Sequence, residues 1–193
     1  MSTTSIRRPA RERILDTACE LFYTHGIHAV GVDRLIAESG VAKATLYKQF
    51  PSKDDVVAAY LRRMDDSWRR QLRSAALAAG EDPREQLFGL FVALEQAARA
   101  GTLGCAFINA VAEYDPGSTA HTITAEHKAN VRDWVRGLAA AAGATDPGML
   151  AFQLTLLIDG TLAATRVERA AEAAEAAKQA ARTLLDSACA GPA

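Results

Sequence analysis

Between Val32 and Lys53 the chain reads VDRLIAESGVAKATLYKQFPSK, two short helical patterns around a glycine followed by the start of a third. Few folds accommodate two such short helices in immediate succession. Leu35 and Ile36 give the first an apolar stripe, Gly40 permits the left-handed backbone that a sharp helix-to-helix turn needs, and Val41 fills the corner. In Lys43 to Gln49, Leu46 and Phe50 lie four apart and face inward, which turns Lys43, Ala44, Thr45, Lys48 and Gln49 outward as one small basic face. Such a face suits a DNA major groove. Lysines attract phosphates, Gln and Thr reach base edges or phosphates, and Ala44 touches a thymine methyl or lets the helix approach closely. Pro51 stops this helix, and Ser52 with Asp55 matches a capping box that starts the next. Lys53 then stands in a first turn, where a cation is out of place unless it serves a phosphate.

Gly40-Val41, Thr45-Leu46-Tyr47, Phe50 and Pro51-Ser52-Lys53 closely resemble the signature of the TetR family of bacterial transcriptional regulators. The resemblance covers the first quarter of the chain at motif level and the rest through length and helix count. It implies a homodimer that binds double-stranded operator DNA and answers to a small-molecule effector, most often as a repressor. By the same resemblance Thr45, Tyr47 and Lys53 hold phosphates, while Lys43, Ala44, Lys48 and Gln49 are placed near bases. Two positions depart from the family's pattern. Gly31 stands where a hydroxyl residue is usual and Ala42 where Ser is usual, which weakens the N-cap of each helix of the motif.

Charge divides along the chain in the same sense. The net charge is -1, yet residues 1–53 carry eight Lys or Arg against five acids, so the basic excess is concentrated at the N-terminal end. Arg7 and Arg8 precede the first helical pattern and lie either along a phosphate backbone or in solvent. No run of 18 apolar residues and no N-terminal apolar signal core is present, so the expected location is the cytoplasm. Cys19, Cys105 and Cys189 are isolated and odd in number, which suggests neither disulfides nor a metal cluster; they read as small buried hydrophobes, with a redox role as the alternative.

Turn signals cut the remainder into helices, giving about nine in an all-α chain with no strand-like run. The expected division is a DNA-binding domain over residues 1–53 (motif 32–50), a connecting helix within 54–82, and a helical effector-binding and dimerisation domain over 83–193. Tyr60, Met64, Trp68 and Leu72 lie four apart on the connecting helix, and the first three are expected to fasten it to the last domain. The sixth helix is expected from Cys105 to Tyr114, stopped by Asp115-Pro116-Gly117.

Apolar helices with scattered polar groups are the composition of a greasy cavity with a few orienting contacts. Phe107, Trp134 and Phe152 are candidate walls or plain core, and Asn109 and His127 candidate hydrogen-bonding groups. Asp159, an acid inside a very apolar helix, needs a partner in a ligand or in another helix or subunit. A mainly apolar or aromatic effector follows. The segment Met149 to Leu162 is apolar nearly all round and the Ala-rich helix after it allows close approach, so Leu154, Leu157, Gly160, Ala177 and Leu184 are the expected dimer contacts. Catalytic and nucleotide-binding motifs are missing from the sequence, and no cofactor or metal is implied. A helical interaction scaffold or, more remotely, a helical enzyme are the rival readings, and neither needs the Lys48, Gln49, Lys53 face.

Overall fold

The computed structural model describes residues 8–101, 104–167 and 170–189, and every regular element among them is a helix. In chain order these are α1 (Ala10–His25), α2 (Val32–Ser39), α3 (Lys43–Gln49), α4 (Lys53–Ala78), α5 (Pro83–Arg99), α6 (Ala106–Val111), α7 (Thr119–Ala141), α8 (Pro147–Ala164) and α9 (Ala170–Ala188). Helix starts follow local chemistry. Asp55 N–H donates to Ser52 Oγ at 3.1 Å while Ser52 N–H donates to Asp55 Oδ2 at 2.9 Å, closing the reciprocal box at the head of α4. Asp82 caps α5 and Asp146 caps α8, each followed by a proline at the first helical position. Helix α6 is shorter than expected. After Val111 the chain tightens into i to i+3 turns, with Glu113 N–H on Ala110 O at 3.0 Å, because Asp115 precedes a proline and cannot stay helical.

The chain forms two compact units, one built from residues up to Met64 together with Ala106–Thr124, the other from Asp65–Cys105 and the residues from Ala125 onward. Both α4 and α7 contribute to each unit. The division therefore falls inside α4 rather than at its ends, and α6 groups with the N-terminal helices. In the first unit Ile14, Leu35, Leu46 and Leu61 are completely buried. Tyr60 belongs to this core, 2% exposed and edge-on to Phe22 of α1 with ring centroids 5.5 Å apart. It thus ties α4 to α1, as its place in the first turns of the helix explains. Arg63 continues the attachment through ion pairs to Glu12 and Asp16.

In the second unit Leu87, Phe91, Leu154 and Leu185 fill a core where α9 packs on α5 and α8. A Cβ at Gly89 would stand 2.7 Å from the Ala79 Cβ and 3.0 Å from the Ala75 carbonyl, so α5 meets the end of α4 at a distance only glycine allows. Lys178–Glu95 and Arg182–Glu85 pairs tie α9 to α5 along the rim. Among the described residues one helix, α8, is long and apolar enough to cross a membrane, and only a third of it is buried in the single chain. It is not an unbroken apolar run, since Gln153, Thr155 and Asp159 interrupt it. Leu150, Leu154 and Ile158 face the protein, while Met149, Phe152 and Leu156 are left in water.

Candidate nucleic-acid interface and effector unit

The first unit presents α3 outward. Gly40 closes α2 in the left-handed region (φ 62°, ψ 35°), its N–H donating to Ile36 O at 3.0 Å, and the chain re-enters a helix three residues later. Arg13 of α1 reinforces the turn, donating to the carbonyls of Ser39 and, at 2.6 Å, Gly40. With Leu46 fully buried and Phe50 beneath the Arg11 guanidinium at 5.1 Å, the roll of α3 is fixed. Lys43, Ala44, Tyr47 and Lys48 are then exposed, and Thr45 and Gln49 half-buried. Seven residues of helix span about 10 Å, which the ~12 Å width of a B-DNA major groove admits. No side chain caps α2 at Gly31 or α3 at Ala42. Lys43 sits 3.9 Å from Asp33 in a solvent-exposed pair, a weak bond that a phosphate readily displaces.

Lys53 occupies a different setting from the α3 face. It is half-buried and its ammonium donates to Ile27 O at 2.7 Å; burial lowers its pKa, and Glu113 and Asp54 act in the opposite direction. Glu113 had no local signal in the sequence. Its carboxylate accepts from the Ile27 and His28 N–H groups at 2.8 and 2.6 Å, across more than eighty residues of chain, and so holds the turn between α1 and α2. Tyr114 beside it donates to Asp54 at 3.1 Å, and burial pushes its phenol up to about 12. Arg7 lies outside the described residues, and Arg8 pairs with Asp16 of α1.

The other candidate side chains are distributed over both units. Phe107 is 3% exposed and Asn109 half-buried, both on α6 in the first unit. In the second unit Phe152 is 43% exposed with the Arg132 guanidinium 4.9 Å above its ring, and Asp159 pairs with Lys128 of α7. Lys128 also approaches the buried Cys105 thiol at 3.9 Å. Cys19 and Cys189 are half-buried rather than fully buried. Trp134 lines a cavity of about 210 Å³ between α4 and α7 with Arg69, Leu72, Arg73, Asn130 and Val131. Leu72 also borders a smaller apolar space of about 50 Å³ lined by Trp68, Leu90, Leu94 and Ile158. Leu154 and Ala177 are buried within one chain; Leu157, Gly160 and Ala177 line a groove of about 360 Å³ between α8 and α9, and Leu184 is half-buried.

His127 is 3% exposed, with Nδ1 2.7 Å from Asp65 Oδ1. Burial lowers its pKa; the Asp65 hydrogen bond opposes this, Lys128 adds to it and Asp159 offsets part. The fold therefore favours the neutral ring. The unfolded chain takes up this proton near the ordinary value of 6.5, the folded chain only at lower pH, so this contribution to stability is full above about 6.5 and is lost as pH falls through the folded value. Denaturant unfolding followed from about pH 7.5 to about pH 5 is expected to show a shallower acid loss in His127→Gln than in the parent. Parallel losses would place the proton elsewhere.

Residues 14–60 match the family model described as bacterial regulatory proteins, tetR family. SCO4454, a TetR-family transcriptional regulator from Streptomyces coelicolor of known crystal structure, is 35% identical over 93% of this chain and 96% of its own, with a TM-score of 0.87. The HTH-type transcriptional regulator YjdC of Escherichia coli is 27% identical over 91% of this chain and 93% of that protein. Over 81 residues, 42% of this chain and 36% of the relative, it is 36% identical to the HTH-type transcriptional activator FasR of Mycolicibacterium smegmatis.

Proposed function

The chain belongs to the TetR family of bacterial transcriptional regulators, and from that premise we propose that it is a repressor that leaves a palindromic operator when a small, mainly apolar effector binds its second unit. As a member of a family of DNA-binding transcription factors it is not an enzyme. Regulators of this family bind operator DNA as dimers and respond to small molecules. The observation that carries the reading is the outward face of α3, where Lys43, Ala44, Tyr47 and Lys48 are exposed while Leu46 on the opposite side is fully buried. In the proposed complex Lys43, Ala44, Lys48 and Gln49 meet base edges and Thr45, Tyr47 and Lys53 meet phosphates. An ammonium has three donors, so Lys53 keeps two for a phosphate while holding Ile27.

One α3 covers only a few base pairs, so specificity calls for a second copy, and the apolar face of α8 with the groove beside α9 supplies a self-complementary surface. Because α4 begins in the DNA-reading unit and ends in the effector unit, a ligand that favours one setting of α4 alters the spacing of the two recognition helices. Useful coupling requires a preference of about 1 to 3 kcal/mol for the DNA-free state. FasR is an activator, so the sign of regulation is tested by transcription in vitro from a promoter carrying the selected site.

The base-reading roles are tested on duplexes selected from a random library. Lys48→Ala and Gln49→Ala are each expected to lose about 1 to 3 kcal/mol of preference for the selected sequence, whereas Lys53→Ala weakens all duplexes alike and flattens the salt dependence. Selected and scrambled duplexes that respond equally to Lys48→Ala and Gln49→Ala would remove both residues from base reading.

A further inference from the structure

We infer that the cavity between α4 and α7 is a binding site for a small aromatic monocarboxylate, the acid held by Arg73 and Asn130 and the ring laid against Trp134. The inference deepens the effector reading above and rests on it. Arg69, Leu72 and Arg73 lie on one face of α4, and Asn130, Val131 and Trp134 on one face of α7, around about 210 Å³ of space. Its floor is apolar, since Leu72 and Val131 are each 7% exposed. Its rim is cationic, and the two arginines differ. Arg69 is already engaged by Asp65 and Asp66, both at 2.8 Å, whereas Arg73 makes no ion pair or hydrogen bond with any described residue. One uncompensated guanidinium suits one negative charge. A carboxylate takes its paired donors edge-on and accepts from the Asn130 amide as well, while a phosphate dianion would meet the carboxylates of Asp65 and Asp66 without a second free cation. Trp134 is half-buried and offers a broad apolar surface beside that charge, which favours a planar ring over an alkyl chain. Leu72 also borders the apolar space lined by Trp68, Leu90 and Ile158, which adds to the same preference.

The chain has two tryptophans, Trp68 and Trp134, so Trp68→Phe leaves Trp134 as the only indole reporter at the site. In that background 3-phenylpropanoate is expected to change Trp134 emission saturably and to bind about tenfold more tightly than 3-phenylpropanamide, the lower end for a charge-assisted contact at a partly exposed site. Arg73→Gln is expected to abolish the acid's advantage with no change in thermal midpoint. Equal affinity for acid and amide, an acid preference that survives Arg73→Gln, or no saturable response to the acid would each overturn the proposal. Operator release is read separately, by anisotropy of a labelled duplex. Acid binding that leaves the duplex bound would overturn the coupling proposed above while leaving the site in place.

Discussion

Leu46→Ala is expected to abolish operator binding while Lys48→Ala leaves the protein's stability within about 0.5 kcal/mol of the parent. The two residues are neighbours on a seven-residue helix and act through different physics. Lys48 is exposed and can matter only when DNA is present. Leu46 is completely buried, and its side chain, with those of Leu35, Ile14 and Phe50, holds α3 against α1 and α2. Truncation removes the transfer free energy of three methyl or methine carbons and leaves a cavity, about 2 to 5 kcal/mol in total. A compact unit of this size has a net stability of the same order, so the recognition helix would be misplaced or unfolded in much of the population. Both tryptophans lie in the second unit, so their emission reports that unit. Circular dichroism and operator affinity should therefore reveal the loss, and tryptophan emission at low denaturant should stay near that of the parent. Operator affinity unchanged in Leu46→Ala would show that α3 is positioned by something other than its buried leucine.

The ease with which the sequence could be read tracks how local each interaction is. The helix boundary at Ser52 is legible because cap and capped N–H are within three residues, and the roll of α3 because Leu46 and Phe50 are one turn apart. Glu113 was not legible. Its partners are backbone N–H groups at Ile27 and His28, and a backbone donor leaves no trace in the residue type that carries it. For Tyr60 the reason is related: the four-residue period shows that one side of α4 is buried but not which neighbours cover each turn, and Phe22 of α1 is a neighbour there. Asp159 needed a partner on general grounds, and Lys128 on another helix meets that need. Arg73 and Trp134 come together only because α4 and α7 place them across one cavity, a pairing that no spacing in the chain encodes. Lys53 combines both situations, since its place in the first turn of α4 is local information and its bond to Ile27 is not.

Leu156→Asp is expected to convert the protein to a monomer at micromolar concentration and to lower operator affinity by about two to four orders of magnitude. Leu156 is 55% exposed in the single chain and borders the groove where α8 and α9 carry Leu157, Gly160, Ala173 and Ala177. A charge there costs the isolated protomer little, because water reaches it. In a two-fold interface the same substitution occurs twice, and each carboxylate would be stripped of water against an apolar surface with no cation opposite, a penalty of several kcal/mol per copy. The DNA effect then follows from linkage. With two recognition helices tied together, the second binds at the effective concentration set by the first; separated protomers lose that advantage although every contact of α3 with its half-site survives. Sedimentation velocity gives the mass, circular dichroism verifies that the fold is retained, and titration with one half-site against the full palindrome separates assembly from recognition. The variant should bind a half-site as the parent does and lose only the gain from the second. A Leu156→Asp protein that stays dimeric and keeps full palindrome affinity would move the interface away from α8 and α9.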